Sequence, residues 1–468
     1  MKNDNKKEID RRNFLKYAGT GSIAATAALY GCNQENNITK NDNYIIGEVP
    51  TDKMTYRINH NTGDKVSLLG YGCMRWPLRK NAKGEDEIDQ DAVNELVDYA
   101  IAHGVNYFDT APVYVRGWSE TATGIALKRH PREKFFIATK MSNQRDTPLL
   151  RTFEGSKNLY EKSMRDLQVD YIDYYLLHYI GMGGMKTLRE RFYDNGLLDF
   201  LMKEREAGRI RNLGWSFHGD IECFNFLLSQ MDDGKVHWDF AMIQLNYVDW
   251  MYASGRNTNA KYLLGELEKR NIPTAVMEPI LGGRLSHLRS EPLQILQQLR
   301  PEASAASWAF RYAATPKNIF TVLSGMVYLE HLQENIQTYS PLVPINEQEY
   351  DALEKVTEIL VDDNYIQCNE CQYCMPCPYG VDIPSVFGHY NKIVSEGKRL
   401  RSSDDKNYQA ARRAFLIGYD QSIPKLRQAN HCTGCATCVA TCPQNMDIPK
   451  EMQRVDVYAE LLKQKTSF

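Results

Sequence analysis

The chain has 468 residues, too long for one compact core and long enough for two domains and a tail. Its composition is that of an ordinary globular protein, 43% hydrophobic and 25% charged, with a net charge of −3. That balance excludes the strongly basic face of a nucleic-acid binder, and no uncharged apolar run of ~18 residues is present to span a bilayer.

Residues 1–43 read as a targeting segment and linker. Asp10-Arg11-Arg12-Asn13-Phe14-Leu15-Lys16 precedes a mildly apolar stretch, Tyr17 to Gly31, rich in Ala, Gly and Thr. The pattern resembles a twin-arginine export signal, which implies delivery of a folded, cofactor-loaded protein to the periplasm. Leu29-Tyr30-Gly31-Cys32 is similar to a lipoprotein cleavage box. Cleavage there would leave Cys32 acylated and the protein tethered to a membrane surface. Cleavage near Ala25-Thr26-Ala27 is the alternative. Residues 33–50 are polar and Asn-rich, as in a flexible linker.

Residues 51–345 alternate between short apolar runs and helical patterns. Met54–Asn59 and Lys65–Leu69 flank Asn61-Thr62-Gly63-Asp64 and predict a hairpin. The predicted strands are Val66–Gly70, Val105–Asp109, Phe135–Lys140, Ile172–His178, Arg209–Ser216, Ala241–Asn246, Thr274–Glu278 and Phe320–Ser324. Between them lie amphipathic segments such as Asp91–Ala102, Ser119–Arg129, Leu159–Leu167 and Lys261–Arg270, whose apolar positions recur every three or four residues. Eight such units in roughly 280 residues predict an α/β fold, a closed (β/α)8 TIM barrel. An open doubly wound sheet would need a Gly-x-Gly-x-x-Gly loop after its first strand, and Gly70-Tyr71-Gly72-Cys73-Met74-Arg75 lacks the third glycine.

In such barrels the active site lies at the C-terminal ends of the strands. Asp109, Lys140 and His178 close the second, third and fourth predicted strands, and Tyr114 follows Asp109 by five residues. Together they suit proton transfer to a carbonyl oxygen. A phenol keeps its proton at neutral pH, and a buried ammonium beside it favours the phenolate and makes Tyr114 a better acid. Asp109 would hold Lys140 charged, and His178 would orient the carbonyl.

Asn-Tyr-Phe-Asp-Thr-Ala at 106–111, Tyr114, Ser119-Glu120, Ala-Thr-Lys at 138–140 and Asp-Tyr-Ile-Asp-Tyr-Tyr-Leu-Leu-His at 170–178 resemble the aldo-keto reductase superfamily over roughly residues 54–345. The resemblance implies a small-molecule carbonyl or alcohol substrate and NADP or NAD bound in extended form. It further implies that Ser216 and Gln244 face the carboxamide, that Pro279, Leu281, Gly282 and Gly283 run along the pyrophosphate, and that Ser324, Gly325, Glu334 and Asn335 hold the adenosine half. The chain departs from the family in three places. Phe217-His218 replaces the usual Asn after the serine, Gly325 and His331 stand where NADPH-specific relatives carry basic residues, and Glu278 stands where some relatives stack an aromatic ring. Weaker charge-assisted contacts to a 2′-phosphate leave NADPH and NADH as alternatives, with a flavin as a third.

Eight of the eleven cysteines form two C-terminal runs, Cys368-x2-Cys371-x2-Cys374-x2-Cys377-Pro378 and Cys432-x2-Cys435-x2-Cys438-x3-Cys442-Pro443. The second is the bacterial ferredoxin run, and the first is one residue shorter before its last Cys. Three closely spaced thiolates wrap one cubane while the Cys before Pro reaches the other. Cys368, Cys371, Cys374 and Cys442 are therefore expected on one [4Fe–4S] cluster, and Cys432, Cys435, Cys438 and Cys377 on a second. Two zinc sites of four cysteines each, or disulfides, are the competing readings. Residues 346–468 are expected to form a small, mainly helical ferredoxin-like domain, and Cys73 and Cys223 to be buried structural thiols.

The function these features predict is an oxidoreductase of the aldo-keto reductase type accompanied by two [4Fe–4S] clusters, with an electron-transfer protein as a further partner. The alternative is a non-catalytic electron-transfer subunit whose barrel is a docking scaffold.

Overall fold

The computed structural model describes residues 47–144, 148–253, 257–363, 365–400, 402 and 404–464. The twin-arginine stretch and Cys32 lie outside them. The chain enters through an antiparallel hairpin, β1 (Tyr56–Ile58) and β2 (Lys65–Ser67), and then forms β3 (Leu69–Gly72). The predicted strand Val66–Gly70 is thus two elements. Asn106 divides them: its Oδ1 accepts from Ser67 N–H and its own N–H donates to Ser67 Oγ, which fixes the turn at Leu68. A second hairpin, β4 (Leu78–Lys80) and β5 (Asp86–Ile88), was not expected. Each strand has a single apolar residue, Leu78 and Ile88, so neither carries the alternation that marks a half-buried strand.

The remaining strands are β6 (Tyr107–Asp109), β7 (Phe136–Met141), β8 (Ile172–Ile180), β9 (Ile210–Phe217), β10 (Phe240–Gln244), β11 (Thr274–Met277) and β12 (Ile319–Ser324). With β3 they close into an eight-stranded parallel barrel, β12 pairing back onto β3. Its strands are short and largely buried because side chains fill the inside and helices cover the outside. β8 is buried at every position. The helix Gln90–Ala102 shows how the outer layer forms. Asp89 accepts from Ala92 N–H as N-cap, and Val93, Leu96, Val97 and Ala100 bury one face at helical spacing.

Inside the barrel, Tyr174 meets Tyr107 and Phe240 edge-on at 5.1 Å and stacks on Phe320 at 5.6 Å. The Tyr174 hydroxyl donates to Asp64 Oδ2 (2.8 Å) and accepts from Asn59 Nδ2 (3.3 Å), both from the β1–β2 hairpin. The hairpin thereby seals the floor, and the C-terminal strand ends form the open face. Cys73 and Cys223 are buried free thiols.

The helix Glu347–Asp362, which the sequence reading placed in the second domain, packs Ala352, Leu353, Val356 and Leu360 into the barrel's outer core. A separate core begins at Ile366. Helices Ile383–Ser395, Tyr408–Ser422 and Ile448–Gln464 supply it, with Val386, Phe387, Phe415, Tyr419, Met452 and Val455 among its members. No helix among the described residues is long and apolar enough to cross a membrane.

Candidate functional site

Three adjacent strands deliver buried polar side chains to the open mouth: Asp109 from β6, Lys140 from β7 and His178 from β8. Lys140 Nζ donates to Asp109 Oδ1 (2.5 Å) and to the carbonyl of Thr110 (2.8 Å), and it lies 4.7 Å from the centre of the Tyr114 ring. That ring meets His178 edge-on at 6.1 Å. The four residues singled out in the sequence therefore share one pocket. Burial pushes the Asp109 carboxyl up and the Lys140 ammonium down, and each is opposed by the other's charge.

The expected lowering of the Tyr114 pKa does not occur. Burial first, and then the charge of Asp109, push it well above the usual phenol range. Lys140 faces the ring rather than the hydroxyl, and its charge is already neutralised by Asp109.

His178 is oriented by residues that sequence reasoning missed. Ser142 Oγ lies 2.6 Å from Nδ1. Buried Arg191 donates to the His178 carbonyl (2.7 Å) and is itself held by Asn143 Oδ1 (2.9 Å). Burial holds the imidazole pKa well below its ordinary value, so the ring is neutral. The next residue, Tyr179, has φ 58, and the β8–β9 register shifts between Leu177 and Ile180. Ser142 was within reach of the sequence, two positions beyond Lys140 on the same strand face. Arg191 left no signal, because it comes from a separate helical turn.

Beneath the pocket, Glu120 accepts from Thr139 Oγ1 (2.6 Å) while its other oxygen is buried. Burial raises its pKa from 4.5 to about 7. The protonated acid is favoured in the fold, so this stabilisation is full below pH ~4.5 and is lost as pH rises through about 7. Glu120→Gln is expected to raise stability at pH 8 by roughly 2–3 kcal/mol and to change it little at pH 5. Thermal melts at the two pH values check this; equal shifts at both would refute it.

The residues expected along a dinucleotide are distributed around the mouth. Gln244 ends β10, and its Nε2 is buried without a partner among the described residues. It lines a small cavity together with His218 and Asp249. Ser216 Oγ accepts from Tyr179 N–H (3.2 Å). Ser324 Oγ accepts from Asn335 Nδ2 (3.0 Å), and Glu334 Oε1 is buried without a partner among the described residues. Unpaired buried groups of this kind, a donor near the barrel axis and an acceptor farther out, fit a bound polar ligand such as an amide and an amine.

The loop Pro279–Gly283 is different. A side chain on Gly282 would meet Asn369 Cβ at 2.5 Å, so the second domain lies directly on it, whereas Gly283 faces open space. Glu278 (φ 56) accepts from Asn369 Nδ2 at 2.8 Å.

The eight clustered cysteines fall into two groups. Cys368, Cys371, Cys374 and Cys442 line one small cavity whose apolar wall includes Ile383 and Met446. Cys438 has Cys432, Cys435 and Cys377 as electrostatic neighbours, and Cys374 also senses Cys438, so the groups adjoin. Glu370, in a left-handed conformation (φ 54), turns its N–H onto Cys368 Sγ at 3.4 Å. Among the described residues no three His, Cys, Asp or Glu side chains close on a single ion. A cavity walled by four thiols, with an amide donating to sulfur, fits a cubane cluster. Cys435 is exposed, whereas Cys442 is buried.

The model of the Aldo/keto reductase family matches residues 68–358, and that of the 4Fe-4S dicluster domain matches residues 367–447. L-galactose dehydrogenase of Arabidopsis thaliana is 25% identical over 324 residues, covering 66% of this chain and 95% of its own. The uncharacterized oxidoreductase YqkF of Bacillus subtilis is 24% identical over 316 residues, covering 63% and 93%. Among solved structures, the holo form of aldo-keto reductase AKR11C1 from Bacillus halodurans is similar in fold, with a TM-score of 0.51 and 22% identity over 65% of this chain and 96% of its own.

Proposed function

Because this chain belongs to the aldo/keto reductase family, we propose that it interconverts a small-molecule carbonyl compound and its alcohol at the barrel mouth. The observation that carries this reading is the convergence of Asp109, Tyr114, Lys140 and His178 in one pocket.

Tyr114 is the proton donor. Its raised pKa keeps it protonated at neutral pH, which suits reduction. The proton passes to the substrate oxygen, while Asp109 holds Lys140 in place over the Tyr114 ring. With the Ser142 hydroxyl donating to Nδ1, His178 is left with a hydrogen on Nε2 to direct at the carbonyl oxygen. A nicotinamide, NADP or NAD, would supply the hydride. Gln244 and Ser216 would hold its carboxamide, Gly283 would border the pyrophosphate, and Ser324, Gly325, Glu334 and Asn335 would hold the adenosine. Cys368, Cys371, Cys374 and Cys442 would carry one [4Fe–4S] cluster, and Cys377, Cys432, Cys435 and Cys438 the other. The exposed Cys435 side suits contact with an external one-electron carrier. The Arg11-Arg12 segment supports export by the twin-arginine route.

Anaerobically purified protein, assayed with NADPH and NADH against a panel of aldehydes and ketones, tests the reading. Carbonyl reduction is expected to be flat across neutral pH, and alcohol oxidation to rise with pH, since oxidation needs the phenolate that burial disfavours. Failure to bind either nucleotide would refute the hydride route.

A further inference from the structure

The second domain forms a roof over the catalytic mouth. Two of its segments make the contact, and both belong to the ligand set of the inner cysteine group. From the first, Asn369 donates to Glu278, its carbonyl accepts from Arg75 (2.6 Å), and Gln367 accepts from Arg284 (2.5 Å). From the second, the Pro443 backbone lies beside His218, and the Asn445 side chain lies over Gly219.

Tyr179 stands where the two centres meet. In a regular strand, successive side chains point to opposite faces. The left-handed conformation at Tyr179 breaks that alternation, so its ring stacks on His178 with centroids 4.0 Å apart and planes 21° apart. Such a conformation costs a residue with a Cβ and persists only where its surroundings hold it. Here Ser216 accepts the Tyr179 N–H, and Arg191 donates to its carbonyl (3.4 Å). The ring also leans on His218 at 4.9 Å and meets Tyr373 edge-on at 5.9 Å. Tyr373 lies between Cys371 and Cys374, and Pro443 follows Cys442. A short chain of packed rings therefore runs from the catalytic imidazole to the inner cysteine group. The outer group, with Cys435 exposed, adjoins the inner one through Cys374 and Cys438.

We propose that Tyr179 and Tyr373 couple the barrel pocket to the inner cluster site, so that occupancy of the pocket shifts the reduction equilibrium of the inner cluster and not that of the outer one. The proposal rests on the functional reading above. Cluster potentials respond to hydrogen bonding and solvent exposure, and charge is less screened in a packed contact than in water. Linkage makes the effect reciprocal: the oxidation state of the inner cluster changes ligand affinity by the same factor.

The test is a reductive titration of the anaerobic, cluster-loaded full chain, read by electron paramagnetic resonance, with and without excess NADPH. NADPH binding is measured separately by calorimetry. The expected result is a shift of three- to tenfold in the inner cluster's equilibrium, tenfold being ~59 mV for one electron, with the outer cluster unmoved. In Tyr179→Leu and Tyr373→Leu the shift should vanish while NADPH still binds, and Tyr179→Phe should restore it. A wild-type protein that binds NADPH without a shift, or a shift retained in both Leu variants, overturns the coupling. If calorimetry shows that NADH binds and NADPH does not, the titration is run with NADH; if neither binds, the functional reading falls instead. The ligand-free spectra then decide: Tyr179→Leu must alter the inner cluster's signal alone, and unaltered spectra overturn the proposal.

Discussion

Replacing Tyr114 by phenylalanine is expected to lower kcat for carbonyl reduction by about 10²- to 10⁴-fold, the range that a positioned proton donor contributes. The variant removes one oxygen. The ring still packs edge-on against His178 and under the Lys140 ammonium, so the pocket keeps its shape. Loss of activity with unchanged nucleotide affinity, iron content and melting temperature would place the defect in proton delivery. Single-turnover kinetics with preloaded nucleotide separate that step from binding and release. A variant that retains wild-type turnover would remove Tyr114 from the chemistry, and with it the reason to read the Asp109–Lys140 pair as anything but a buried ion pair.

The second large effect is expected at Cys442. This thiol is buried and lies across the cavity from Cys368, Cys371 and Cys374, far from them in sequence. Cys442→Ala is therefore expected to remove the inner cluster. Iron would fall from about eight to about four atoms per chain, and the outer cluster's resonance would remain. Stability should fall as well, because the cluster ties the first cysteine loop to the start of the helix Ile448–Gln464, and metal-binding free energy of this kind is folding free energy. Cys435→Ala is the complementary case, losing the outer cluster at an exposed position with less effect on melting. If Cys442→Ala instead abolishes the outer signal, then each cysteine run holds its own cluster and the crossed assignment is wrong.

The sequence made some parts of this molecule legible and hid others, for physical reasons. Barrel strands that are buried throughout, such as Ile172–Ile180, announce themselves as apolar runs, and the charged residues ending them stand out against that background. The cysteine runs are legible because cubane ligation requires tight spacing. The turn dividing β2 from β3 was hidden, because it depends on Asn106, some 40 residues away. The pKa of Tyr114 was misjudged because sequence gives the neighbours but not their directions: Lys140 points at the ring face and spends its charge on Asp109. The roof over the mouth left no trace either. Asn369 on Glu278 and Tyr373 on Tyr179 are contacts between the two domains, and neither domain's pattern encodes the other's position.

Gly282 shows what such a seam means for substitution. Its backbone angle (φ 67) already favours glycine, and its hydrogen atoms rest against Asn369, a residue of the other domain. A mutation in the barrel would thus be rejected by the cluster-bearing tail, and the tail could not be exchanged for a cousin with a bulkier side chain at 369 without refitting the barrel. The two halves match separate family models, yet at this point neither can change its side chain without the other giving way.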